Sequence, residues 1–184
     1  MKTMFYEKTK RATAWALALL PLLTVCTSCD KDTRQFKGAY SSKTSGSLVL
    51  QKAIPSALDT LNLPDTMTVS LTPESGQMRI AEIKDNADYN LLVSLNLLAG
   101  DALSFRAKAE DGGIILETTP YERYIQANVS TDVKMTLGIM TGGRGRIYDD
   151  VIVFDLDYQG LGLYNGVPYT VIDSRVSCIA TLNE

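Results

Sequence analysis

The sequence predicts an all-β fold. An antiparallel meander of about eight to ten strands would close into an up-and-down barrel or, alternatively, split into a two-sheet β-sandwich. Three observations predict it. Apolar and polar residues alternate with period two through most of the chain, as in strands with one buried and one wet face. Turn residues (Gly, Asn, Asp) recur between the alternating runs, which joins neighbours as hairpins. Helical patterning is nearly absent. The one candidate is the short segment Pro55 to Leu61, with proline at a first helical position.

The elements follow in order. Met67, Val69 and Leu71 alternate with Thr66, Thr68, Ser70 and Thr72; Pro73-Glu74-Ser75-Gly76 reads as a turn and Met78 to Ile83 as the return strand. Leu91, Val93, Leu95 and Leu97 share a face, and Ala99-Gly100-Asp101 turns the chain. Leu103, Phe105, Ala107 and Ala109 then alternate with Ser104, Arg106, Lys108 and Glu110, the cleanest amphipathic strand of the chain. Asp111-Gly112-Gly113 turns into Ile114-Ile115-Leu116. Val133, Met135, Leu137 and Ile139 define the next strand. Ile152, Phe154, Leu156 and Tyr158 line one face of the following one, with Asp155 and Asp157 on the other. Asn165-Gly166 is the strongest hairpin signal, because both residues accept the positive φ of a type I′ turn. In the last strand, about Pro168 to Leu182, Ile172, Val176, Cys178, Ala180 and Leu182 fall on one parity. The other parity mixes Tyr169, Val171 and Ile179 with Asp173, Arg175, Ser177 and Thr181.

Composition removes whole classes of chemistry. The 184 residues carry no histidine, which excludes Ser-His-Asp and Cys-His catalysis and histidine-containing zinc sites. The formal net charge is -3, so nucleic acid, which needs a basic face, is not an expected partner. No 20–50-residue repeat points to a solenoid or propeller.

The first residues read as an address. Lys2, Lys8, Lys10 and Arg11 precede an apolar run from Ala12 to Val25, broken by Pro21, and small residues follow. These are the parts of a secretory signal, and the run is shorter than the roughly 20 residues of a spanning helix. Thr27-Ser28-Cys29 resembles the end of a bacterial lipobox, although Cys26 stands where leucine is usual. The competing register, with Cys26 as the modified residue, puts bulky Val25 at the cleavage position. The expected organisation is a lipoprotein signal peptide over 1–28, a polar tether over 29–35 and a single all-β domain over 36–184, with Cys29 acylated (palmitate-type chains) as a membrane anchor. Two acyl chains give stable anchoring. Removal of the first 28 residues takes away four cations and one acid and leaves 14 positive and 20 negative charges, a net of -6. With Cys26 removed and Cys29 acylated, Cys178 has no disulfide partner, so a small buried apolar residue is expected there. Asp30-Lys31-Asp32 resembles in part the surface-export tags of Bacteroidota lipoproteins; a plain solvated linker is the alternative.

Phe36-Lys37-Gly38-Ala39-Tyr40, entering the first strand, resembles the opening of small calycin-like (lipocalin-like barrel) lipoproteins of Bacteroidota. Tyr40 stands where the lipocalin Gly-x-Trp has tryptophan. That resemblance implies a barrel closed at one end, in some relatives holding an apolar ligand, and an arginine near the last strand packed over the aromatic ring. Arg175 is the matching candidate.

Other constellations are weaker. Thr141-Gly142-Gly143-Arg144-Gly145-Arg146 is flanked by strands and lacks the Lys-Ser/Thr of a phosphate loop. It reads as a flexible hairpin loop, with a weak anion site at Arg144 and Arg146 as the alternative. Asp149, Asp150, Asp155 and Asp157 lack the spacing of a calcium loop and read as a solvated face. Asn128-Val129-Ser130 fits a glycosylation sequon and carries no weight behind a bacterial signal. Tyr121, Tyr124, Tyr148, Tyr158, Tyr164 and Tyr169 are the large amphipathic rings on which a sugar or peptide would stack, set against the ordinary abundance of tyrosine in strands. No catalytic, metal-binding or cofactor-binding residues emerge.

The expectation is a lipid-anchored outer-membrane lipoprotein of a Gram-negative bacterium, facing the periplasm or the cell surface. Its barrel would be non-enzymatic, bind a small apolar ligand or a surface protein partner and need no cofactor. The alternative is a structural or accessory β-sandwich protein of a fimbria-like surface assembly, which predicts a last strand with an open edge.

Overall fold

A computed structural model describes residues 33–54, 61–84, 88–97, 102–119 and 123–184. The signal segment, Cys29, most of the tether, the short helix candidate from Pro55 and the Ala99–Asp101 turn lie outside the described residues. Ten strands follow in order: β1 (Gly38–Lys52), β2 (Thr66–Leu71), β3 (Glu74–Glu82), β4 (Leu91–Leu97), β5 (Ala102–Glu110), β6 (Gly113–Leu116), β7 (Arg123–Asn128), β8 (Lys134–Tyr148), β9 (Val151–Tyr164) and β10 (Val167–Leu182). Every pairing between them is antiparallel.

Four long strands, β1, β10, β9 and β8, form a continuous wall. The free edges of its two outer members are each shared between two shorter strands. β1 pairs with β3 over Gly38–Thr44 and with β2 over Ser47–Gln51. β8 pairs with β7 over Lys134–Ile139 and with β6 over Gly143–Arg146. At one end β2 meets β7 directly, through Ser70–Asn128 and Leu71–Ala127, which closes a ring of six strands. At the other end the β4–β5 hairpin is inserted between β3 and β6, which closes a ring of eight. The barrel therefore has a narrow and a wide half joined at a waist. Pairing runs unbroken round each ring, as in a barrel rather than a two-sheet sandwich.

Each half has its own core. Tyr40, Ile80, Leu91, Val93, Phe105, Ile152, Phe154 and Cys178 are among the buried residues of the wide half. Leu48, Leu50, Val69, Ile125, Leu137, Tyr158 and Tyr169 are among those of the narrow half. Leu156, at the waist, packs against both. The predicted inward parities of β2, β5 and β9 hold, and Asp155 and Asp157 face solvent. Asn165 and Gly166 take φ values of 51° and 81° in the β9–β10 turn. Cys178 is buried as expected, and burial raises its thiol pKa, partly offset by a hydrogen bond with Thr44 across the strand pair.

Three sequence expectations are corrected. Pro73–Gly76 is not a reversal: Glu74–Gly76 already belong to β3, and β2 and β3 lie end to end along the same edge of β1. Thr141–Arg146 is not a loop but the middle of the 15-residue β8. A Cβ at Gly143 (φ 150°) would lie 2.4 Å from the Asp155 carbonyl oxygen, so glycine serves close strand approach there rather than flexibility. In β10 the register with β9 shifts between Thr170 and Val176. That bulge exchanges the two faces: Val167 and Tyr169 are buried before it, Val176, Cys178 and Ala180 after it, and Ile172 is exposed.

Candidate functional site

The waist brings polar side chains into the barrel where the two flanking strands part. Arg123 opens β7 and Glu74 opens β3, both on the inward parity. The Arg123 guanidinium donates from Nη1 to Glu74 Oε2 at 3.2 Å, from Nη2 to Tyr158 Oη at 2.6 Å and from Nε to Thr141 Oγ1 at 3.5 Å. Its Cζ also lies 5.4 Å from the centre of the Tyr158 ring, within cation–π range. Thr141 and Tyr158 are buried. The Tyr158 hydroxyl is pushed up to about 12, mainly by burial; Arg123 opposes the shift and Glu74 adds to it. A phenol so placed stays neutral near pH 7 and neither attacks nor abstracts a proton there. The cluster ties β3, β7, β8 and β9 together at the fork.

The raised pKa has a measurable consequence. The folded protein holds the Tyr158 proton above pH 10, where the unfolded chain releases it, so stability falls as pH rises from about 10 to 12. The difference between about 12 and the ordinary value near 10 corresponds to roughly 2–3 kcal/mol. Tyr40 is also raised by burial, and its slope adds in the same direction. Urea midpoints measured from pH 9 to 12 should fall less steeply for Tyr158→Phe than for the wild type. Equal slopes would show that Tyr158 titrates normally.

Beside this cluster a small cavity is lined by apolar side chains such as Met78, Phe105 and Phe154, together with Arg123, Tyr158 and Cys178. It measures about 20 Å³. On the outside of the same wall an open groove of about 440 Å³ runs across β6, β8, β9 and β10. Arg144, Asp155, Asp157 and Ser174 line it, together with Ile115, Leu116 and Leu156. Gly143, without a side chain, lies among them, so Leu116 and Leu156 border both the groove and the cavity. The Ser174 hydroxyl donates to the Leu156 carbonyl at 2.8 Å, which anchors the β10 bulge against β9.

The sequence-stated candidates fall in several places. Arg144 and Arg146 face outward along one strand, and Arg144 is opposite Asp155 in the register; among the described residues neither arginine forms an ion pair. Asp149 and Asp150 occupy the exposed β8–β9 turn, apart from Asp155 and Asp157, and among the described residues no acidic cluster could hold a metal. The tyrosines do not form one platform. Tyr124 and Tyr148 are exposed towards opposite ends of β8, Tyr158 and Tyr169 are buried, and Tyr121 lies outside the described residues. Arg175 does not cover Tyr40: it is exposed and pairs with Asp173 at 2.9 Å, while Tyr40 is opposite Leu182 and donates its hydroxyl to the Phe36 carbonyl. The Arg123–Glu74 pair escaped sequence reasoning because Glu74 sat in a segment read as a turn and Arg123 in none of the strands read from the sequence.

No protein-family model, curated protein or solved structure matches the chain.

Proposed function

We propose that the chain is a lipid-anchored outer-membrane protein, held through Cys29, whose barrel binds a partner molecule on its outer wall without catalysing a reaction. The observation that carries this reading is the contrast between a filled interior and an open exterior. The cavity of about 20 Å³ has room for about one water molecule, whereas ligand pockets commonly measure about 300–1,000 Å³. The groove of about 440 Å³ falls in that range. Arg144 offers donors, Asp155 and Asp157 offer acceptors, and Ser174 offers a hydroxyl, above an apolar floor of Leu116 and Leu156. That lining suits a small ligand that both donates and accepts hydrogen bonds, such as a polyhydroxylated or zwitterionic molecule. Strand addition, the mode of the fimbria-like alternative, is disfavoured because β10 is paired on both edges, with β9 and with β1.

The full chain expressed in a Gram-negative host tests both parts. Labelled palmitate should enter the wild type and not Cys29→Ser. Organic extraction of purified Cys29→Ser protein should release no apolar molecule in stoichiometric amount. Labelling independent of Cys29 would overturn the anchor, and a stoichiometric apolar ligand would overturn the exterior site.

A further inference from the structure

Ionisable side chains are distributed unequally over the two halves of the barrel. On the wide half Lys43, Arg79, Arg106, Lys108, Glu110, Arg144, Arg146 and Asp155 all face outward. On the narrow half the outward positions of the paired segments are mostly threonine, serine, glutamine, valine, tyrosine, leucine, glycine and proline; among the described residues of those segments the outward charges lie at the borders, Lys134 at the strand end and Asp173 paired with Arg175 on β10 towards the waist. Apolar side chains gather on one side of this wall, between its charged borders. Tyr124, Gly138, Leu161 and Thr170 stand in one cross-strand row over β7, β8, β9 and β10. Leu163 lies two residues along β9, and Met140 and Ile172 border the patch towards the waist. Tyr124, Met140, Leu161, Leu163 and Ile172 are exposed by 38 to 68%.

From this placement we infer that the β7–β10 wall of the narrow half is a docking face for a second copy of the same chain, packed sheet to sheet. Contiguous apolar patches of a few hundred Å² mark interaction surfaces. Five large side chains exposed to this extent reach that scale, and the flanking Gln126, Thr136 and Thr170 extend it towards the roughly 800 Å² per partner of a stable interface. Charge selects the partner. The chain from Cys29 onward carries a net -6, so two copies repel through most orientations, and a wall whose charges lie at its borders, where Asp173 is paired with Arg175, lets them meet without opposing like charges across the patch. Geometry argues against the membrane as the occupant. Thr33–Lys37 lead into Gly38 at the open end of the wide half, where Phe36 is buried in the wide-half core, so the tether enters at the end opposite the narrow-half wall. The choice of a second copy draws on the anchor proposed above: copies tethered at the same end share an orientation and a raised local concentration, and present their side walls to one another. The face is isologous, so Leu161 and Tyr124 of each copy contribute to one two-fold contact.

The test uses the full chain in its host membranes and again after purification in detergent. Thr170→Cys should give a disulfide-linked dimer on mild oxidation, and Ser104→Cys, on the wide half, should not. In sedimentation the purified protein should have the mass of two chains. Leu161→Asp and, separately, Tyr124→Asp should each shift it to one chain; both residues are exposed, so the fold tolerates the change. A monomer at every concentration, or a dimer indifferent to both aspartates, would overturn the proposal. If the wild type fractionates as a soluble protein, the anchor fails, while the cross-link and the mass still decide the face.

Discussion

Gly46→Ala is expected to lower the unfolding free energy by about 3 kcal/mol or more, a large fraction of the margin of an ordinary domain. Gly46 lies between Thr44, the last β1 residue paired with β3, and Ser47, the first paired with β2. Here β1 changes partner and the barrel changes width. The backbone takes φ 151°, a conformation that side chains rarely adopt. An added Cβ would lie 2.2 Å from the Arg175 carbonyl oxygen and 2.7 Å from the Val176 Cα. Both are backbone atoms of the shared wall, so neither can swing aside. Gly112→Ala is the control. Its φ of 72° is also positive, but nothing lies within 4 Å of the new Cβ, so it should lose only about 1 kcal/mol. Urea unfolding followed by circular dichroism, with slopes unchanged, separates the two. Equal losses would mean that the fork does not need glycine.

Most of the β pattern was legible in the sequence because burial in this fold obeys period two. β5 and β9 show it: Phe105, Ala107 and Ala109 point in while Arg106, Lys108 and Glu110 point out, and Ile152, Phe154 and Tyr158 point in while Asp155 and Asp157 point out. Local turn chemistry was legible at Asn165-Gly166 for the same reason, since the requirement is carried by two adjacent residues. The two-width barrel was not legible. Whether Pro73 reverses the chain or bends it depends on which edge of β1 is open, and that is settled by β10, about a hundred residues away. The glycines of β8 looked like a loop because sequence shows missing side chains and not the β9 backbone pressed against them. The face exchange in β10 follows from a bulge that no residue type announces. As for candidate sites, the outward carboxylates and Arg144 could be placed on a wall, but the groove exists only once β6, β8, β9 and β10 are side by side. The Arg123 cluster draws on four strands, and its inward charges run against the patterning that identified the rest.

That cluster yields the second large expected effect. Arg123→Met keeps much of the side-chain volume and removes the guanidinium, and should lower stability by about 2–3 kcal/mol. Breaking a fully buried pair costs about 3–5 kcal/mol. Glu74 retains 30% of its side-chain exposure against 12% for Arg123, so its carboxylate can turn partly to water and the loss falls below that range. Tyr158 Oη and Thr141 Oγ1 cannot do the same, since both residues are buried, and each loses the donor it shares with Arg123. Glu74→Gln keeps an acceptor and should lose about 1 kcal/mol. The combination Arg123→Met, Glu74→Met and Tyr158→Phe distinguishes two roles for the cluster. Replacing a whole buried polar group with apolar side chains of similar volume is often neutral or stabilising, so the triple variant should recover most of what Arg123→Met loses. Its halves should then be less firmly registered. Amide exchange should quicken in β3 and β7, which the Arg123–Glu74 pair joins across the fork, while the four-strand wall keeps its protection. If the triple variant is less stable than Arg123→Met and exchange is unchanged, the cluster contributes stability rather than register. If Arg123→Met alone matches the wild type, Arg123 does not point into the waist.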